Sequence, residues 1–397
     1  MVEQAQAEKP PMQKLADKIS TVFVPTVLVL SAITFLVNYF AFDISSGDSL
    51  MRAIAVLVIS CPCAMGLATP AAIAVGLGRA AKLGILFKNA SALESFKKIQ
   101  QVVFDKTGTL TTGKFTITDF TSSINEAEFK RIVFSLEKFS NHPIAKTIVT
   151  EWKMNQPISW KSIEEIKGIG IKATDAEGNN YEAGSFKLLK ENEGTLQQHN
   201  IYVFKNGSEI GWIDVQDEIR TEAKEVIASL HKKNIKTILL SGDLQHKCDV
   251  IAATLGIDEV YAEQTPAQKM EKIAVLNNEV PTAMVGDGIN DAPALASADV
   301  GIAMGGGGTQ SALEAADIVL MTDDLSKIVG ARAIARRAYR TIQENLFVGV
   351  GVVHVLGITA ALLGWIGPIQ AALIHLGPDI LVFVNSAKLL RVRIVGV

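Results

Sequence analysis

Apolar residues are unevenly distributed along the chain. Residues 21–40 form one uncharged run and residues 53–78 a second. Residues 346–363 and 369–381 form two more, the last interrupted by His375 and Asp379. About 20 apolar residues cross a bilayer as a helix. The pattern therefore predicts four membrane helices in two pairs around a polar insert from about residue 82 to 340. Within the insert, short apolar runs at 99–104, 238–240 and 283–285 read as buried strands, and residues 126–137 as a helix. The prediction is an α/β fold flanked by membrane helices.

Flanking charge orients the helices. Lys14 and Lys18 precede the first run, and Arg79, Lys82 and Lys88 follow the second. Arg332, Arg336, Arg337 and Arg340 precede the third, and Lys388, Arg391 and Arg393 follow the fourth. The connections 41–51 and 364–368 carry no lysine or arginine. Both termini and the insert are expected in the cytoplasm. Glu3, Glu8, Pro10 and Pro11 ahead of the first run do not read as a cleaved signal peptide. A net charge of −3, with no interleaving of aromatic and basic residues, gives no sign of a nucleic-acid partner. Three cysteines are too few for a disulfide framework, and a cytoplasmic setting keeps them reduced.

The candidate chemistry begins where the first buried strand ends. Asp105 stands at its carboxyl end, the edge where ligands gather in open α/β sheets. A carboxylate there can accept a phosphoryl group as an aspartyl phosphate. Lys106, Thr107, Gly108 and Thr109 follow with charge, hydroxyls and close backbone approach. A bare Asp-Lys pair is as readily a polar turn; the whole string Asp105-Lys-Thr-Gly-Thr-Leu-Thr is more telling. A second carboxylate-rich loop, Gly286-Asp287-Gly-Ile-Asn-Asp291, follows the strand at 283–285 and offers hard oxygen ligands suited to Mg²⁺. Inside the second membrane run, Cys61 and Cys63 flank Pro62. Proline frees backbone carbonyls in a membrane helix, and two thiols beside the break can bind a soft or borderline metal. Packed small residues at a kink are the other reading. In the fourth run His375 and Asp379 lie four residues apart on one helix face, and ionisable groups there are costly unless used. Asn385 and Ser386 lie further along. Cys248 reads as structural.

Taken together, the motifs resemble those of the P-type ATPases, and Cys61-Pro-Cys with Thr69-Pro70 resembles their heavy-metal subfamily. The resemblance implies a haloacid-dehalogenase-like Rossmann phosphorylation domain with an inserted α+β nucleotide-binding domain. The implied boundaries are a lead-in at 1–20, a membrane pair at 21–81, the phosphorylation domain at 82–113 and 214–340, the nucleotide-binding domain at 114–213, and a membrane pair with tail at 341–397. It implies Asp105 as nucleophile, with Lys106, Thr107, Lys269 and Asp287 in the catalytic set. Thr107, Ser241, Gly242, Asp243 and Lys269 would hold phosphate. Asp105, Thr107, Asp287 and Asp291 would hold Mg²⁺. Glu137, His142, Gly168 and Gly170 would surround ATP, and Ser185 stands where the family commonly has asparagine. Asp217 and Arg220 resemble its D-x-x-R element, and Gly84–Lys88 its link from helix to catalytic domain. Residues 301–308 read as a glycine-rich hinge.

Cys61, Cys63, His375 and Asp379 would bind the transported ion. The Tyr-Asn and Met/Ser-Ser features of the copper(I) subfamily do not appear, and thiolates with imidazole and carboxylate suit a divalent borderline ion. The expected function is ATP-driven export of a transition metal, zinc- or manganese-like, with cobalt or nickel open and copper(I) as the alternative. Expected partners are the lipid bilayer, ATP and the ion, with a metallochaperone or a missing amino-terminal half beside them. The expected location is the plasma (inner) membrane, multi-pass. No Thr-Gly-Glu actuator string occurs. The chain thus reads as the carboxyl-terminal part of such a pump, able to bind nucleotide and phosphorylate Asp105 but not to complete a cycle. A membrane-tethered phosphohydrolase and an inactive or regulatory fragment are the rival readings. Phosphatases of this fold carry a second aspartate two residues after the nucleophile, and here that residue is Thr107.

Overall fold

The computed structural model describes residues 11–140, 142–166, 169–185, 188, 199–288, 291–306 and 310–391. Four helices are long and apolar enough to cross a membrane: Thr21–Phe40, Ser46–Lys82, Lys327–Leu362 and Pro368–Arg391. The first begins earlier than expected, running as one helix over Pro11–Phe40, so residues from Pro11 onward are not a separate lead-in. The second is broken into Ser46–Ile59 and Cys63–Lys82. Pro62 stands at the break, where it has no N–H to continue the helical ladder.

The chain divides into two compact units, Leu110–Arg220 and one built from both flanks. In the flanking unit the second membrane helix runs out through Lys82 and feeds the strand Ile85–Phe87. That strand joins a seven-stranded sheet. The order across the sheet is Ile85–Phe87, Ile318–Leu320, Val300–Met304, Thr282–Gly286, Gln101–Phe104, Lys236–Leu240 and Glu259–Tyr261. Only the first pairing is antiparallel; all the others are parallel. Parallel strands are covered on both faces and so read as continuous apolar runs. Val102, Val103, Phe104, Ile238, Leu239, Leu240, Met284 and Val285 are accordingly all buried. The expected hinge at 301–308 is corrected at its start. Gly301 is a strand residue within Val300–Met304, and a Cβ there would meet the Leu295 carbonyl. Gly307 and Gly308 lie outside the described residues.

The other unit is a six-stranded antiparallel sheet ordered Thr111–Ser122, Ser208–Ile219, Ile201–Lys205, Asn180–Gly184, Gly170–Asp175 and Trp160–Ile166. The helices Glu126–Glu137 and Pro143–Glu151 cover it. Its core is its own, with Phe129, Ile132, Leu136, Ile148, Tyr181, Val203 and Ile213 buried together. The unit is a few residues wider at each end than 114–213 because its two long strands begin at Thr111 and end at Ile219. Asp217 belongs to this unit: its carboxylate accepts the Thr111 hydroxyl at 2.5 Å and the Gly113 N–H at 3.0 Å, pinning the two strands where they enter and leave.

Candidate catalytic, nucleotide and metal sites

Three neighbouring parallel strands end side by side at Phe104, Leu240 and Gly286. The residues that follow are Asp105, Ser241-Gly242-Asp243 and Asp287. A parallel sheet aims the carboxyl ends of its strands one way, so stretches remote in sequence meet at one edge. They line one cavity of about 350 Å³ with Thr107, Gln264, Pro266, Lys269 and Asp291. Lys269 rises from the helix Pro266–Glu279, which Thr265 and Gln268 close with a capping box. Its Nζ donates to Asp105 Oδ1 at 2.5 Å and to Asp291 Oδ1 at 2.8 Å. Lys106 pairs instead with Asp243. The turn Lys106–Leu110 carries Gly108 at φ +72°, and a Cβ on it would strike the Asp287 carboxylate.

One ammonium thus serves two buried carboxylates, with Asp287 close by. Burial foremost, then the charge of Asp291, pushes the Asp105 carboxyl up to about 7 against the pull of Lys269. Burial works to lower the Lys269 ammonium, and the facing Asp105 and Asp291 outweigh it and raise it. An excess of buried carboxylate oxygen over positive charge is the donor chemistry a hard divalent cation satisfies, so these residues fit Mg²⁺. Asn290 lies outside the described residues.

The second unit holds its own cavity of about 220 Å³, lined by Glu137, His142, Gly170 and Ser185 with Ser140, Glu165, Gly184 and Asn200. Ile144, Ile169, Ile171 and Ile201 supply apolar walls. His142 caps the helix Pro143–Glu151, its Nδ1 accepting the Ile144 N–H at 3.3 Å, which puts the ring proton on Nε2. Gly170 pairs with Gly184 across adjacent strands, and a Cβ on either would run into the other's backbone. Two glycines therefore keep these strands in register beside the cavity. Gly168 lies outside the described residues.

In the membrane unit, ligand atoms of Cys61, Cys63 and His375 lie within 4.8 Å of one another. Asp379 is not in that cluster. His375 Nδ1 and Asp379 Oδ1 are buried and without a hydrogen-bond partner, polar atoms left for something else to satisfy. The two sulfurs are joined as a disulfide, which corrects the expectation of separate thiols. A separation of two residues across the helix break turns both sulfurs to one side. Reduction returns two thiols to the same place. Asn385 and Ser386 do not face this cluster; Asn345 Nδ2 donates to Ser386 Oγ at 3.1 Å, and Asn385 Nδ2 to Asn345 Oδ1 at 3.0 Å.

Sequence reasoning passed over three participants. His354 is buried, with Nε2 at 2.9 Å from the Cys61 carbonyl freed by the helix break, and its ring meets His375 edge-on at 6.2 Å. An imidazole inside an apolar span was the signal available. Ser140 and Glu165 carry no local signal, because a loop and a strand distant in sequence bring them together.

Residues 99–299 match the family described as haloacid dehalogenase-like hydrolase. The chain is 38% identical to a cadmium-transporting ATPase of Staphylococcus aureus, an alignment covering 99% of this chain and 57% of that protein. It is 39% identical to a copper-exporting P-type ATPase of Staphylococcus saprophyticus, covering 99% of this chain and 51% of that one. It superposes on the crystal structure of a zinc-transporting PIB-type ATPase in its E2.Pi state with a TM-score of 0.82 at 33% identity, covering 98% of this chain and 66% of that one. The chain spans about half the length of the curated relatives it matches.

Proposed function

The chain belongs to the haloacid dehalogenase-like hydrolases, and from that premise we propose that it carries the phosphorylation and ion-binding machinery of an ATP-driven exporter of a divalent transition metal. One observation carries the reading. The helix that starts at Cys63, beside the thiol and imidazole ligands, runs unbroken to Lys82 and leads into the edge strand of the sheet that bears Asp105. One helix thus links the ion site to the sheet whose edge bears the nucleophile, and coupling requires that the ion bind the states of the chain differently.

ATP binds in the cavity lined by Glu137, His142 and Gly170. An Asp105 carboxylate oxygen attacks the γ-phosphorus, the bond from γ-phosphorus to the bridging oxygen breaks, and ADP leaves. Lys269 offsets charge on the entering phosphoryl oxygens as a point cation. Thr107 and Ser241 offer hydroxyls, and Gly242 its backbone N–H, with Asp243 beside them, in the separate cavity around Asp105. Mg²⁺ held by Asp105, Thr107, Asp287 and Asp291 would neutralise phosphate charge. Thr107 supplies no general acid, so the aspartyl phosphate outlives the attack. Cys61, Cys63, His375 and Asp379 hold the ion as cargo; sulfur, nitrogen and a carboxylate suit zinc or manganese over copper(I). The insert faces the cytoplasm.

The test measures metal binding to the chemically reduced chain in detergent with zinc, manganese and copper(I). Cys61→Ala, His375→Ala and Asp379→Ala are assayed in parallel, together with phosphoenzyme formation from γ-labelled ATP. Tight binding of a divalent ion that all three substitutions weaken, and acid-stable label lost in Asp105→Asn, are expected. Binding of copper alone, indifferent to His375→Ala and Asp379→Ala, would overturn the ion assignment. Label that persists in Asp105→Asn would overturn the nucleophile.

A further inference from the structure

The helix break at Pro62 leaves one backbone oxygen to account for. In an unbroken helix the Cys61 carbonyl would accept the Met65 N–H. Here the Met65 and Gly66 N–H groups both turn to the Pro62 carbonyl, at 3.1 and 3.2 Å. A carbonyl buried at membrane depth needs another donor. It meets His354 of the third membrane helix, whose Nε2 lies 2.9 Å away. The other ring nitrogen, Nδ1, lies 2.8 Å from the Val350 carbonyl, one turn back on its own helix. A neutral imidazole has one N–H for these two acceptors. The Val350 carbonyl already accepts the Val353 N–H, so the ring proton belongs on Nε2. His354 is 6% exposed, and its ring is met edge-on by Phe23 at 6.1 Å and by His375 at 6.2 Å. It is not one of the clustered ligand residues Cys61, Cys63 and His375. It touches the backbone of one of them and the ring of another.

We propose that His354 is a positioning residue of the ion site: its Nε2–H holds the Cys61 carbonyl and so fixes the turn at Pro62 that brings both sulfurs to one side. The inference rests on reading Cys61, Cys63 and His375 as ligands of the ion. Cys61 and Cys63 stand on opposite flanks of the turn, so a rotation of the Cys61 peptide swings one sulfur away from the other. Cys63 is the first residue of the helix Cys63–Lys82, which holds it in place. Cys61 lies outside both helices. Its N–H reaches the Val58 carbonyl only at 3.5 Å, and its carbonyl goes to the imidazole at 2.9 Å. The shorter of the two ties on Cys61 is therefore the one to the third helix. Contacts that orient a ligand without touching the ion are worth about 10–100-fold in metal affinity.

The experiment is titration of the chemically reduced full chain in detergent with Co²⁺. Its visible bands report coordination geometry, and its sulfur-to-metal charge-transfer absorption reports bound thiolate. Three variants separate what the ring does. In His354→Gln the amide N–H stands where Nε2 stood and reaches the Cys61 carbonyl. In His354→Asn it stands at the Nδ1 position, beside Val350 alone. His354→Leu fills the space without a donor. His354→Gln is expected to keep the wild-type affinity and spectrum. His354→Asn and His354→Leu are expected to bind Co²⁺ about tenfold more weakly or worse, with less charge-transfer absorption per bound ion. A role confined to packing, or to the bond within the third helix, would not favour glutamine over asparagine. The proposal is overturned if His354→Asn and His354→Gln behave alike, whether both hold the ion or neither does. It is equally overturned if a folded His354→Leu matches the wild type. Where His354→Leu does not fold, the two amides still decide. A wild-type chain that is fully reduced and takes up no Co²⁺ would instead overturn the ion-site reading beneath the proposal.

Discussion

Lys269 is the one group whose removal leaves both Asp105 and Asp291 without the ammonium they share. Breaking a buried ion pair from one side strands charge at a cost of about 3–5 kcal/mol. Lys269→Met is therefore expected to lower the melting midpoint of the flanking unit clearly, and to abolish labelling of Asp105. Added Mg²⁺ should recover part of the midpoint but none of the label. A midpoint equal to wild type would mean that the ammonium is not what offsets these two carboxylates. Gly108→Ala tests a different cause. Its φ of +72° costs a side chain about 1–2 kcal/mol, and the new Cβ meets the Asp287 carboxylate. Phosphorylation should fall at least tenfold, with the melting midpoint lower by only a few degrees. Such residues were legible in the sequence because the string from Asp105 to Thr111 packs its chemistry into adjacent positions. Glu165 was not, because only the pairing of strands and the loop at Ser140 bring it to the cavity that Glu137 also lines.

The four membrane helices were legible because length and apolarity are properties of a run, whatever it packs against. Their junctions were not. The third helix enters the membrane through widened helical turns over Asn345–Val352, a winding that no apolar periodicity encodes and that recurs at functional sites. At its start Asn345, only 2% exposed, bonds Ser386 and Asn385 of the fourth helix. Below it, Arg332 donates to the Ile99 carbonyl at 2.8 Å and Lys97 sits 3.4 Å over the Tyr339 ring, so the same helix grips the approach to the Asp105 strand. Polar contacts between membrane helices are worth about 1 kcal/mol each, because the separated helices find other partners. Asn345→Leu should thus destabilise the chain in detergent by about 1–2 kcal/mol. In a cycle with Ser386→Ala the two losses should not add, since they report one bond. Additive losses would show that Asn345 acts through Asn385 alone.

The chain crosses between its two units only twice, at Thr109–Leu110 and Arg220–Thr221, and each unit buries a core of its own. Units with separate cores and few covalent links melt separately. Tryptophan placement makes this measurable. Of the four tryptophans, Trp152, Trp160 and Trp212 belong to the insert, and the fourth, Trp365, is 76% exposed at the turn between the last two membrane helices. Intrinsic fluorescence therefore follows the insert, while far-ultraviolet dichroism is dominated by the helices of the other unit. Two distinct midpoints are expected. A ligand that binds only the folded insert stabilises it by about 2.7 kcal/mol when present at a hundred times its dissociation constant. ATP without Mg²⁺ should raise the fluorescence midpoint by several degrees and leave the dichroism midpoint where it was. Zinc added to the reduced chain should do the reverse, because its ligands stand on the membrane helices. A single midpoint that both ligands move equally would mean that the units unfold as one. Nucleotide and metal would then already be coupled through the stability of the resting chain, before any phosphoryl group reaches Asp105.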